Sequence, residues 1–216
     1  MRMRKPLLDE NFLRILRKKF SSPLSVQDYL DSITFNFAEN GETCLSPVRV
    51  LSEKKADCLE GAFLAAAVMW AHGEIPYIMN LKVHAGLGDD DHAVALFRRN
   101  GYWGAVSKTN HAMLRFRDPV YKTYRELAMS YFHEYYLEKN GVKIMKGFSR
   151  PIDMRKFGST WLRAQEDLWD IAEAIFDTAY IPTVVPKNKR FIRKATAFER
   201  KVTSIPEHKQ KRRRRT

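Results

Sequence analysis

Apolar residues recur at helical spacing from Leu8 to Phe20 (Leu8, Phe12, Leu13, Ile15, Leu16) and again from Ser25 to Phe37, where Ser25 can cap the first turn. The chain is therefore expected to open with two helices. A polar connection follows, carrying Gly41, Pro47 and a charged turn at Glu53-Lys54-Lys55-Ala56. At Asp57-Cys58-Leu59-Glu60 an N-cap acceptor is followed three residues later by a glutamate, directly before the apolar run Ala62 to Trp70. That capping-box spacing predicts a buried helix beginning at Cys58, with Gly73 as its stop. Pro76 then opens a strand from Tyr77 to Val83. Beyond a loop rich in Gly and Asp (85–91), His92 to Arg99 and Tyr102 to about Thr109 read as two strands around Asn100-Gly101, a strong hairpin signal. Tyr121 to Lys139, ended by Asn140-Gly141, and Thr160 to Tyr180, capped near Ser159, read as helices. The expected class is α+β: N-terminal helices, a cysteine-bearing buried helix packed on an antiparallel sheet, and C-terminal helices.

Composition places a boundary on this pattern. The 216 residues are 44% hydrophobic and 12% aromatic, which suits one globular domain over residues 1–186, with Pro182 and Pro186 marking its end. The formal charge of +13 is not spread evenly, because residues 187–216 hold thirteen Lys and Arg against Glu199 and Glu207, a local balance of +11. That stretch reads as a basic, disordered tail able to make weak contact with nucleic acid or an acidic partner. The start lacks the apolar core of a signal peptide, and no window reaches the roughly 18 apolar residues of a membrane span, so a cytoplasmic protein without membrane contact is expected. The aromatic residues between Tyr121 and Tyr136 read as the packed face of a helix, and Glu166, Asp167 and Asp170 as an exposed helical face.

Two cysteines, Cys44 and Cys58, are too few for a disulfide framework, and in a reducing compartment both are expected to be free. With no further cysteine and no paired-histidine helix motif, neither a metal nor another cofactor is expected. Cys58 at the first turn of a helix sits where unpaired N–H groups and the macrodipole favour thiolate, and where the Cys58 and Leu59 N–H groups can hold an oxyanion. The plainer reading of such a residue is a small buried hydrophobe. His92, at the head of its strand, is the candidate base. If Asn100-Gly101 is a two-residue turn, Arg99 faces Tyr102 and Val94 faces Ser107, so His92, Ser107 and Thr109 share a face. Ser107 or Thr109 can then orient the imidazole, or Asn110 if a bulge shifts the register by one.

Cys58 opening an Ala-rich helix, the strand beginning His92-Ala93-Val94 and the hairpin partner carrying Trp103 resemble the core of the transglutaminase-like superfamily, over roughly Leu51 to Asn110. The segments Lys54 to Ala62 and Ser107 to Asn110 look most like a bacterial group within it. The resemblance implies a papain-like cysteine-proteinase fold and a cysteine, histidine and aspartate triad, with Cys58 and His92 matching the first two. The chain departs at the third position, where Ser107 stands in place of the aspartate, and a carboxylate would have to come from elsewhere, from Asp89, Asp90, Asp91 or Asp118. Papain-like proteases use asparagine there, which keeps Asn110 a candidate. The implied activity is acyl transfer on amide or ester bonds, by hydrolysis, transamidation or acetyl transfer. The alternative is a catalytically inactive domain of the same fold acting as a binding module, its basic tail contacting nucleic acid or another acidic partner.

Overall fold

A computed structural model describes residues 9–209 except 40, 85, 87–89 and 204. Helix α1 spans Glu10–Lys19, capped by Asp9, whose carboxylate accepts from the Phe12 N–H at 3.0 Å, and it buries Phe12, Leu13 and Leu16. Helix α2 spans Pro23–Ser32 and is capped by Ser22 rather than Ser25. Ser25 instead closes a reciprocal capping box with Ser22, and Pro23 at the first helical position needs no N–H partner. The expected continuation to Phe37 is corrected, because Thr34–Phe35 forms a short strand β1 that pairs in parallel with β2, Lys55–Ala56. Between them the polar connection contains a helix, α3, Pro47–Glu53, which starts on the Ser46 cap and stops at Lys54, whose φ is 52°. A left-handed stop without glycine hides this helix from pattern reading.

Helix α4, Cys58–Ala71, is enclosed on all sides, with every residue from Leu59 to Ala71 buried except Trp70. It lies against a seven-stranded sheet of β3 (Tyr77–Val83), β4 (His92–Arg99), β5 (Tyr102–Val106), β6 (Arg117–Tyr121), β7 (Met145–Ser149), β8 (Ile152–Asp153) and β9 (Tyr180–Pro182). The strand order is β6-β5-β4-β3-β7-β9, with β8 on β3, and each of its pairings is antiparallel. Asn100 and Gly101 both take positive φ, 51° and 86°, and the register Arg99↔Tyr102 to Ala95↔Val106 is the expected one. The unbroken apolar run of β4 is explained by cover on both faces. Ala93, Ala95 and Phe97 join the core with α1, α2 and α4, while Val94 and Leu96 join Leu127, Ala128 and Tyr131 of α5 (Tyr124–Phe132).

The C-terminal half departs furthest from expectation. Helix α5 ends at Phe132, and Tyr135, Tyr136 and Leu137 are buried in a following turn. The stretch read as one helix from Thr160 is a single 3-10 turn at Thr160–Leu162 and a separate helix α6, Trp169–Phe176. Trp161 there is core, and Asp167 accepts from the Cys44 N–H and pairs with Arg49 at 2.8 Å. The reading of 187–216 as a disordered tail is corrected as far as Lys209. A 3-10 turn at Pro186–Phe191 and helix α7, Ala197–Thr203, carry the chain back over the domain. They are held by the Ala195 N–H donating to Gly141 O at 2.8 Å and the Tyr136 hydroxyl donating to Glu199 O at 2.8 Å. Residues 210–216 lie outside the described residues. Among the described residues no helix is long and apolar enough to cross a membrane.

Candidate active site

The head of α4 is fixed by a buried carboxylate. Asp57 accepts from the Glu60 N–H at 2.8 Å, and Glu60 in turn accepts from the Asp57 N–H at 2.8 Å, completing the expected capping box. Glu60 also accepts from the Asn36 amide at 2.9 Å, the Thr43 hydroxyl at 2.8 Å and the Leu45 N–H at 2.9 Å. One side chain thus ties the 36–45 loop across the N-terminus of the helix that carries Cys58. Pattern reading saw only its capping role, because its other partners are set by the tertiary fold.

Cys58 is half-buried, with Sγ 3.9 Å from the Asp91 carbonyl oxygen and the N–H groups of Ala93 and Leu59 facing it. Burial pushes the thiol well above its ordinary range, and the Asp57 carboxylate adds to the effect; the two N–H groups work the other way without overcoming it. The helix terminus alone therefore does not leave a standing thiolate. The Leu59 N–H also lies against the Asp57 carboxylate, so one of the two expected oxyanion donors is already engaged, while Ala93 is a donor the sequence did not suggest. Cys44 is free like Cys58, buried, and pushed up to about 12 by burial and by the charges of Asp57 and Glu60.

His92 and Ser107 meet directly. His92 Nε2 lies 2.8 Å from Ser107 Oγ, and Ser107 Oγ donates to the Leu114 carbonyl at 2.5 Å. A carbonyl can only accept, and a hydroxyl has one hydrogen, so Ser107 must accept from His92. The ring proton is thereby assigned to Nε2, leaving the Nδ1 lone pair as the basic site. Burial, with the charges of His111 and Arg117, pushes His92 down to about 4, so the resting ring is neutral at neutral pH. Ser107 is itself clamped from α2: its N–H donates to Gln27 Oε1 at 2.9 Å, and its carbonyl accepts from Gln27 Nε2 at 2.9 Å. Nothing in the sequence pointed to Gln27, whose partner lies 80 residues away.

The other candidates have different partners. Thr109 Oγ1 accepts from the His111 N–H at 3.1 Å, closing its own turn. The Asn110 amide accepts from the His208 N–H at 2.7 Å and donates to His208 O at 3.2 Å, so Asn110 anchors the C-terminal segment and does not orient His92. Asp91 accepts from the Val83 N–H and the Asn80 amide, each at 2.9 Å, which holds the approach to β4. Asp118 lies on β6 in a separate cavity, and Asp89 lies outside the described residues. Among the described residues no carboxylate makes a hydrogen bond or ion pair with His92.

Cys58 and His92 border one cleft of about 880 Å³, walled by Phe35, Phe37, Tyr135 and Trp169, with Lys108 and Asp57 at its polar side. Lys108 is completely buried, and Nζ donates to the carbonyls of Leu30 at 2.6 Å and Ile33 at 2.8 Å at the end of α2. Its stem crosses α4 at Gly61, where a Cβ would come within 2.6 Å of Lys108 Cβ, so only glycine fits. The two segments on which the family resemblance rests are thus locked against each other. Among the described residues no group of three His, Cys, Asp or Glu side chains could hold a metal. No protein-family model matches the chain, and no curated protein matches it either.

Proposed function

We propose that the protein is a thiol enzyme of the acyl-transfer type, acting on an amide or ester bond in the Cys58 cleft. The observation that carries this reading is the His92–Ser107–Leu114 hydrogen-bond chain, which puts the ring proton on Nε2 and keeps Nδ1 as the base of a neutral imidazole, in a residue that lines the same cleft as Cys58. A cysteine at the head of a buried helix, packed on an antiparallel sheet whose strand opens with the histidine, supports a transglutaminase-like, papain-related fold. Two free thiols are consistent with a reducing, cytoplasmic setting.

In this reading thiol and imidazole rest uncharged. As Sγ attacks the substrate carbonyl, His92 Nδ1 takes the thiol proton, and the developing oxyanion is met by N–H groups at the head of α4. Collapse breaks the amide or ester bond, His92 returns the proton to the leaving amine or alcohol, and a thioester remains on Cys58. Water or an amine then attacks the thioester, giving hydrolysis or transamidation. Ser107 fixes the tautomer, but among the described residues the transient imidazolium has no carboxylate partner, so turnover is expected to be slow.

The test is incubation with p-nitrophenyl acetate, followed by peptide mapping. An acetyl group on Cys58 but not Cys44, absent in His92→Ala, supports the reading. Ester cleavage undiminished in Cys58→Ala contradicts it. A second reading, a non-catalytic module of the same fold with a basic C-terminal segment that binds nucleic acid or an acidic partner, is favoured by the raised Cys58 thiol and by the lack, among the described residues, of a carboxylate bonded to His92.

A further inference from the structure

A second cavity, of about 460 Å³, lies on the other side of the β3 terminus and shares no lining residue with the Cys58 cleft. Lys82 and Val83 face the cleft, whereas the next residue, His84, lines the cavity. Five cationic side chains line it: Lys143, whose Nζ also donates to His133 O at 3.1 Å, and Lys146 from the β7 side, and Lys189, Arg193 and Lys194 from the C-terminal segment. Among the described residues none of the five forms an ion pair, and no carboxylate lines the space. Glu199 acts on Lys143 and Arg193 from outside it. Burial disfavours a proton on His84 and on Lys143, and neighbouring cations add to it: Lys146 and Lys189 for His84, and Arg193 for Lys143. Like charges thus gather around open space, with Glu199 offsetting Lys143 and Arg193 in part.

Apart from His84, Thr183 and the Tyr180 hydroxyl, the rest of the lining is apolar. Phe132, Met145, Val184 and Ile192 form one wall, and Tyr180 stands at the rim with Lys146 Nζ 4.6 Å from its ring centre. A small inorganic anion would leave that wall uncovered, and an uncharged apolar ligand would leave the cations unanswered. The volume is within the range of small-ligand sites, roughly 300–1,000 Å³.

We propose that this cavity binds a nucleoside di- or triphosphate, its phosphates among Lys143, Lys146, Lys189, Arg193 and Lys194 and its base and sugar against the Phe132–Ile192 wall. Several lysine and arginine donors suit a chain of phosphate oxygens, and the apolar wall supplies what free polyphosphate cannot use. The site is independent of acyl transfer at Cys58.

Equilibrium dialysis of the full chain against ATP, tripolyphosphate and adenosine tests this. Saturable ATP binding is expected, clearly tighter than either fragment alone, unchanged in Cys58→Ala, and weakened roughly tenfold or more in the double variant Lys146→Glu/Lys189→Glu. Ile192→Asp, at a half-exposed position, should weaken ATP but not tripolyphosphate. Circular dichroism checks the fold, and Lys146→Ala/Lys189→Ala repeats the test with a milder change. Absence of saturable binding, equal retention of ATP and tripolyphosphate, or indifference to the lysine variants would overturn the proposal. So would a single-stranded oligonucleotide that displaces ATP and binds more tightly, since the surface would then be a nucleic-acid track.

Discussion

The Cys58 cleft and the cationic cavity sit side by side at the end of β3 and are built in opposite ways. In the cleft the polar groups are buried and matched: Glu60 satisfies the loop across α4, Gln27 holds Ser107, and Ser107 holds His92. In the cavity the charged groups are cations that form no ion pair among the described residues, and several of them are exposed. Buried, satisfied hydrogen bonds fix atoms to fractions of an ångström, which chemistry at a carbonyl needs. Unneutralised surface charge fixes little but draws in a ligand of opposite sign. The difference separates what each site can do, and it predicts that the same kind of substitution has unequal consequences in the two.

The largest contrast should come from Glu60→Ala set against Lys189→Ala. Removing Glu60 leaves the Thr43 hydroxyl and the N–H groups of Leu45 and Asp57 without their acceptor, and the Asn36 amide with Thr43 Oγ1 alone. The expected loss is on the order of 4 kcal/mol in urea unfolding, whereas Lys189→Ala, on the surface, should stay within about 0.5 kcal/mol. Equal losses would mean that the cleft is no more tightly built than the cavity.

Next in size is the acid response of the cleft. His92 is held near 4 in the folded protein against 6.5 ordinarily, so between those values the unfolded chain binds a proton that the folded chain refuses. Stability from this group is complete above pH 6.5 and falls as the pH drops toward 4, by about 3 kcal/mol in all. Burial raises the Asp57 carboxyl to about 7, which works in the opposite direction over this range, so the His92 share is read as the difference between the profiles of wild type and His92→Gln. An unchanged slope would place the ring in contact with water.

Smaller effects sort the residues around His92. Gln27→Leu frees Ser107 and should slow acetylation of Cys58 roughly tenfold, and Ser107→Ala should do so at least as much by removing the acceptor for Nε2–H. Asn110→Ala should leave the acetylation rate within a factor of about 2 and loosen only the contact with His208, measured as faster proteolysis near the C-terminus. A large loss of acylation in Asn110→Ala, with Ser107→Ala silent, would reverse the assignment of the orienting residue.

Legibility from sequence followed the range of the interactions. The α4 capping box, the Tyr77–Val83 and His92–Arg99 strands and the Asn100-Gly101 register rest on contacts within a few residues, and they could be read directly. The meeting of His92 with Ser107 was readable because it follows from that register. Gln27, Glu60 as a loop clamp and the burial that suppresses the Cys58 thiolate depend on segments far apart in the chain, and no periodicity records them. The C-terminal segment misled for a related reason. Its charge argues for solvent, yet Gly141, Tyr136 and Asn110 supply backbone and side-chain partners for it.

The central claim is that His92 is neutral, protonated on Nε2, with Nδ1 free to take the Cys58 proton. Long-range proton–nitrogen NMR of the histidine side chains across the acid range tests it directly, with His92→Gln assigning the signals. The account predicts an Nε2–H ring at neutral pH that gains its second proton only near pH 4. A ring protonated on Nδ1, or doubly protonated at neutral pH, would leave no base for the thiol and would contradict it.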